Sequence, residues 1–195
     1  QGRGLNTPAH LIVGAAAFAR PGAPWVTLAA VIGAAAPDLS LYFMAGTALF
    51  LMDVPPNIVF DEYYFSPAWQ AVFAIDNSFI IWGAAFALAL WARRPALIAF
   101  TGAAPLHIPL DFPLHHDDAR PHFWPLSNWV FESPISYWDR DHYADIVGPL
   151  EGLMCVALCV MLWRRPQGVP ARTVISLAGA LQLAPVFIWV FVSAA

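Results

Sequence analysis

Hydrophobic positions in this chain run together rather than alternate with polar ones. Five stretches carry almost no charge: 25–52, 69–92, 95–112, 146–163 and 173–195. The last four approach or exceed the ~20 residues a helix needs to cross a bilayer, and the first is longer than one crossing requires. A sixth run, 7–19, is short for a span and fits a short or re-entrant helix. Within 25–52, Pro37 disfavours helical geometry at Ala36, so a break is expected there, with Asp38 able to cap the half-helix that restarts. The pattern predicts an all-α polytopic membrane bundle of about five or six transmembrane helices, the first pair short or broken. It forms a single transmembrane domain over 5–195. Residues 1–4, Gln-Gly-Arg-Gly, read as a tag-cleavage remnant and are set apart from the fold.

Composition agrees with the pattern. The chain has 195 residues, of which 59% are hydrophobic and 11% charged, whereas a soluble domain carries roughly 25% charged residues. There is no lysine. Six of the nine arginines (Arg20, Arg93, Arg94, Arg164, Arg165 and Arg172) fall in three short, acid-free connections, while 53–67 and 113–145 hold nine acids with only Arg120 and Arg140. By the positive-inside rule the arginine connections are cytoplasmic and the acidic loops lie on the outer side. Cys155 and Cys159, four apart in one apolar run, read as small packing residues. No nucleic-acid motif or glycine-rich phosphate loop is visible, and membrane lipids are the expected partners.

Ionisable side chains inside the apolar runs change the picture, because charge at membrane depth is costly and marks cavities, pairing or chemistry. Counted from the nearest arginines or span starts at ~1.5 Å per residue, His10, Asp38, Asp76, His107, Asp111 and Glu151 all lie roughly 15–25 Å up, in one layer of the outer half. Each taken alone also fits a polar contact between helices.

Chemistry concentrates in "LHIPLDFPLHHDDARPHFWP", residues 106–125, with four of the six histidines and three of the thirteen acids. His107 and Asp111 are spaced i, i+4, so both leave one face of a helix about a turn apart. That spacing begins a metal site or makes a hydrogen-bonded His–Asp pair. His115, His116, Asp117 and Asp118 follow beyond the helix end, as solvated residues or as a reach back to the site. His122 and His142 lie in an outer loop rich in tryptophan and tyrosine (Trp124, Trp129, Tyr137, Trp138, Tyr143), which suits a lid at headgroup level.

Three pieces, "NTPAHLIVGAAAF" (6–18), "GAAAPDLSLYF" (33–43) and "LHIPLDFPLHH" (106–116), give the chain a family likeness. It resembles the bacterial membrane-bound metal-dependent hydrolases, themselves distantly similar to zinc-dependent phospholipase C. The resemblance covers about a fifth of the chain. It implies metal ligation by His10, Asp38, His107 and Asp111, with His115 or His116 as a further ligand. The chain departs from the family at 61–78, where histidines near the start of the third helix are replaced by residues such as Asp61, Glu62, Asp76 and Asn77.

A hydrolase is therefore the first expectation. Zinc, or another divalent ion, one or two in number, would be held by His10, Asp38, His107, Asp111 and His115. Asp76 or Glu151 would orient water, His116 would assist the leaving group, and a lipid-borne ester or phosphoester would be the substrate. The alternatives are a non-catalytic membrane binding or assembly protein holding a metal, lipid or pigment, and an ion or proton transporter. The departure at 61–78 and the lack of an evident basic residue near the site favour the binding protein.

Overall fold

The computed structural model describes residues 7–137 and 139–192, with side chains placed as far as 183. The expected tag remnant at 1–4 and Trp138 lie outside the described residues. The described residues are all-helical, with no strand. In order they form α1 (Thr7–Phe18), α2 (Pro24–Phe50), a short α3 (Pro56–Ile58) that widens into a π-turn (Val59–Tyr63), α4 (Pro67–Asp76), α5 (Phe79–Ala92) and α6 (Pro95–Asp111). A 3₁₀ turn (Arg140–His142), α7 (Ala144–Trp163) and α8 (Val169–Val192) follow. Among the described residues, three helical stretches are long and apolar enough to cross a membrane: Pro24–Phe50, Pro67–Ala92 and Ala144–Trp163. Large exposed side chains such as Phe43, Phe50, Trp91 and Leu153 give the bundle an apolar exterior, as expected of a membrane protein.

Two expectations fail, in opposite directions. Pro37 does not break its run: α2 continues through it for 27 residues, and Asp38 is an interior residue, not a cap. Inside a membrane bundle, neighbouring groups re-satisfy the backbone that a proline frees, so the helix can continue. The run 69–92, expected as one helix, instead divides at Asn77–Ser78. Polar side chains there compete for backbone groups. Ser78 Oγ accepts from the amides of Ile80 and Ile81 at 3.1 Å each and caps α5, while Asn77 Nδ2 donates to the Phe73 carbonyl at 3.1 Å. The loop after α6 fills the break: His122 lies 2.9 Å from the Asn77 carbonyl, the Phe79 amide donates to the His122 carbonyl at 2.9 Å, and Ser78 Oγ donates to the Trp124 carbonyl.

Small residues bring α1, α2 and α6 together. A Cβ at Gly33 would sit 2.1 Å from the Phe100 carbonyl oxygen, and one at Gly14 would sit 2.6 Å from Ala34 Cβ. Ala30, Ala34, Ala99 and Ala103 are buried around them, the close backbone approach that membrane helices use in place of a hydrophobic drive. At the arginine end, Arg165 donates to the carbonyls of Ala16 (2.5 Å) and Ala19 (3.2 Å), satisfying the exposed end of α1. Cys155 and Cys159 are buried against Ala9 and Ile12, in the packing role expected of them.

Candidate functional site

At the opposite end of this three-helix core, His10 comes from α1, Asp38 from α2, and His107 and Asp111 from one face of α6. The Asp111 carboxylate is the centre. Its Oδ1 lies 2.9 Å from His10 Nε2, and its Oδ2 lies 2.9 Å from His107 Nε2 and 3.4 Å from His115 Nε2. Asp38 Oδ1 is 3.5 Å from His107 Nε2. The His10 and His107 rings stack with centroids 3.7 Å apart. All five residues expected as ligands thus meet in one connected cluster.

Its outer supports are equally defined. Thr7 Oγ1 donates to Asp38 Oδ2 at 2.5 Å and lies 2.6 Å from the Tyr42 hydroxyl. Asp118 Oδ2 is 2.9 Å from His115 Nδ1. His107 Nδ1 is 2.9 Å from the Ala34 carbonyl oxygen. Because a carbonyl only accepts, the hydrogen sits on Nδ1, and the neutral ring presents a lone pair at Nε2. That lone pair faces two carboxylates and makes no hydrogen bond to either. Acceptors converging this way repel unless a positive charge lies among them, either a second proton on His107 or a metal ion.

The residues fit a metal. Donor atoms of His10, His107 and Asp111 all lie within 4.8 Å of one another. Bonds of ~2.0–2.1 Å in a tetrahedral zinc site space the ligand atoms roughly 3.3 Å apart, and mixed imidazole and carboxylate donors suit zinc. Each histidine that ligates a metal typically donates its other N–H to a carbonyl or carboxylate, as His107 does to Ala34. His10 Nδ1 is buried without a partner.

The cluster borders a cavity of about 320 Å³ whose lining includes His10, Asp111, Tyr137, Leu150, Glu151 and Met154. Glu151 therefore faces the same space as His10 and Asp111, amid a largely apolar lining. Two other expectations are not supported. Asp76 makes no ion pair with the cluster among the described residues. It lies beside Ser40, and its carbonyl accepts from Trp82 Nε1 at 2.6 Å. The helix break at Asn77 ends α4 at this residue. His116 also points elsewhere: its ring stacks on His142 at 3.8 Å, and its Nδ1 lies 2.7 Å from the Ser133 carbonyl oxygen.

Arg120 is the residue that sequence reasoning missed. It is 3% exposed, lies with its guanidinium carbon 4.8 Å over the Phe73 ring, and donates to the Tyr64 hydroxyl at 3.1 Å. Burial disfavours its charge, but Tyr64, Asp38 and Asp111 together hold its pKa above the ordinary value. The expected lack of a basic residue near the site is thereby corrected. A lone arginine two residues after a pair of aspartates, Asp117 and Asp118, was the available signal. Burial likewise opposes charge on His115, yet its hydrogen bonds to Asp111 and Asp118 outweigh this and hold its pKa up at about 9. Asp118 is desolvated too, but His115 and Arg120 keep its carboxyl below the ordinary value. His122 goes the other way: burial lowers it to about 4, so it is neutral at pH 7.

No family model matches the chain, and neither does any curated protein or solved structure. The family likeness of 6–18, 33–43 and 106–116 therefore rests on those short motifs alone.

Proposed function

We propose that this chain is a membrane-embedded, metal-dependent hydrolase acting on a lipid-borne ester or phosphoester. One observation carries the reading: a carboxylate ringed by three imidazoles, with buried nitrogens lacking hydrogen-bond partners, opens onto an apolar cavity that holds a further carboxylate. The proposed arrangement has five or six crossings of a bacterial inner membrane, with the arginine connections cytoplasmic and the cluster toward the periplasm.

A divalent ion such as zinc, when bound, supplies the Lewis acidity that brings ionisation of water close to neutral pH. His10, His107 and Asp111 would hold it, with Asp38 and His115 completing the set. Thr7, Ala34 and Asp118 fix the orientation of those ligands. Glu151 receives the proton of the attacking water and returns it to the leaving oxygen as the ester bond breaks. The apolar wall around Leu150 and Met154 takes the substrate's hydrocarbon chain. Arg120 offsets the negative charge that three aspartates gather here.

A second reading has its own observation. With a second proton on His107, Asp111 would accept across 2.9 Å from both His10 and His107, and the cluster would then be a proton-held polar knot that locks the helices without a metal. Incubating the purified full chain with phospholipid vesicles and following headgroup and fatty-acid release separates the two. Turnover that depends on added zinc and falls at least ~100-fold in Glu151→Gln is expected. Metal bound with no turnover on any lipid leaves only a binding protein. A folded chain that binds no metal leaves only the knot.

A further inference from the structure

The outer loop contains a second stacked pair of imidazoles, unconnected with the hydrolase reading. The ring centroids of His116 and His142 lie 3.8 Å apart, with planes 24° from parallel. Each ring is oriented through Nδ1: His116 against the Ser133 carbonyl oxygen at 2.7 Å, and His142 against Asp139 Oδ2 at 2.7 Å. Carbonyl and ionised carboxylate both only accept, so both rings carry hydrogen on Nδ1 and a lone pair on Nε2. Neither Nε2 has a protein partner among the described residues. Histidines that ligate metals almost always donate their other N–H to a carboxylate, a backbone carbonyl or water, and this pair shows the first two.

The scaffold holding the pair is ordered by hydrogen bonds rather than by a core. The Ser133 amide donates to the His115 carbonyl (2.9 Å), Ser133 Oγ to the Pro113 carbonyl (2.6 Å), and the Tyr137 amide to the Leu114 carbonyl (3.1 Å). The Ser136 amide reaches the His142 carbonyl at 2.8 Å. Asp139 is fixed from its other oxygen by the Asp141 amide at 3.0 Å. At His142 the side chain is 31% exposed, against 0–14% for His107, His10 and Asp111. This pair can therefore exchange ligands with solvent.

We propose that His116 and His142 form a second site for a divalent transition metal of the zinc and copper class, bound through their two Nε2 atoms and completed by water. Adjacent residues thus serve different centres: His115 belongs to the buried cluster, His116 to the exposed pair. With two protein ligands and solvent access, the outer site binds more weakly than the inner one.

The test is titration of the chelator-stripped full chain in detergent with Zn²⁺ against a chromophoric chelator. Wild type is expected to show a tight and a weaker class of site. His116→Ala and His142→Ala each remove only the weaker class. Asp139→Asn, which preserves shape, weakens it about 10- to 100-fold. His107→Ala does the reverse, losing the tight class and keeping the weaker. In that protein, Cu²⁺ should give an electron paramagnetic resonance spectrum with nitrogen coupling from two imidazoles. Weak binding unchanged in both loop variants, or absent from wild type, overturns the proposal. So does loss of the tight class in the loop variants, which would place these histidines in the inner centre. A wild type showing only the weaker class would instead count against the buried metal and leave the outer site standing.

Discussion

The two halves of α6 are built on different principles. Toward the arginine end, Ala99, Gly102 and Ala103 are buried against neighbouring helices, and a Cβ at Gly102 would lie 2.4 Å from the Phe18 ring. No charge is involved, and the fit is decided by size. One to two turns further on, His107 and Asp111 join three other elements through charge and hydrogen bonding alone. The contrast teaches a division of labour. Close packing below sets the helix positions to a few tenths of an ångström, and this lets polar groups above meet at ligand distances. Breaking the lower half should disable both halves, whereas breaking the upper half should leave the lower intact.

The largest effect is therefore expected from Gly33→Ala, because the new Cβ would meet Phe100 backbone, which cannot rotate away. A loss of about 3 kcal/mol is expected for overpacking here, together with zinc binding. The check is the thermal midpoint in detergent alongside metal content. A protein of unchanged stability would refute the close-packing account. His107→Ala comes next. It should lower affinity for tight zinc by more than ~100-fold while helicity stays at the wild-type level, read by the same titration with circular dichroism. If the helices unfold as well, the two halves are not separable. Thr7→Val keeps shape but removes the hydroxyl that orients Asp38, and should weaken zinc about 10-fold.

How much of this was legible in the sequence divides along the same line. The all-helical fold, the short first helix, the long loop at 113–145 and the meeting of His10, Asp38, His107 and Asp111 follow from hydrophobic runs and from the depth of polar residues within them, while His115 came from the motif resemblance. Those signals are local and strong, because lipid penalises each misplaced charge. The behaviour of Pro37 and of the 69–92 run was not legible. Local propensity argues for a break at proline, and the length of the apolar run argues against one at Asn77–Ser78, but tertiary partners help decide both, including the loop residues 122–124 that enter the second break. Arg120 and Asp118 were hidden for a related reason: in a loop, sequence alone does not say which charged side chain folds inward. Asp76 was expected at the depth of the cluster but lies beside Ser40 and makes no ion pair with the cluster among the described residues, and depth alone does not foretell such neighbours.

The smallest expected effect concerns that inward-folded loop. His122 is pushed down to about 4 from an ordinary 6.5, so its contribution is complete above pH 6.5. The contribution is lost as the pH falls toward 4, where the unfolded chain takes up a proton that the folded chain resists. Wild type should lose more stability than His122→Gln across that window, measured as the difference in thermal midpoint shifts. Identical pH profiles would mean that His122 is solvated and the loop is not packed into the α4–α5 break.

The central claim, that side chains from separate helices hold one buried metal ion, is tested most directly by X-ray absorption at the zinc edge. The sample is zinc-loaded full chain carrying His116→Ala and His142→Ala, so that only the inner centre contributes. One zinc per chain is predicted, with nitrogen and oxygen at ~2.0–2.2 Å, scattering from at least two imidazoles and no sulfur. A folded protein that retains no zinc, or a zinc with sulfur neighbours from Cys155 and Cys159, would contradict it.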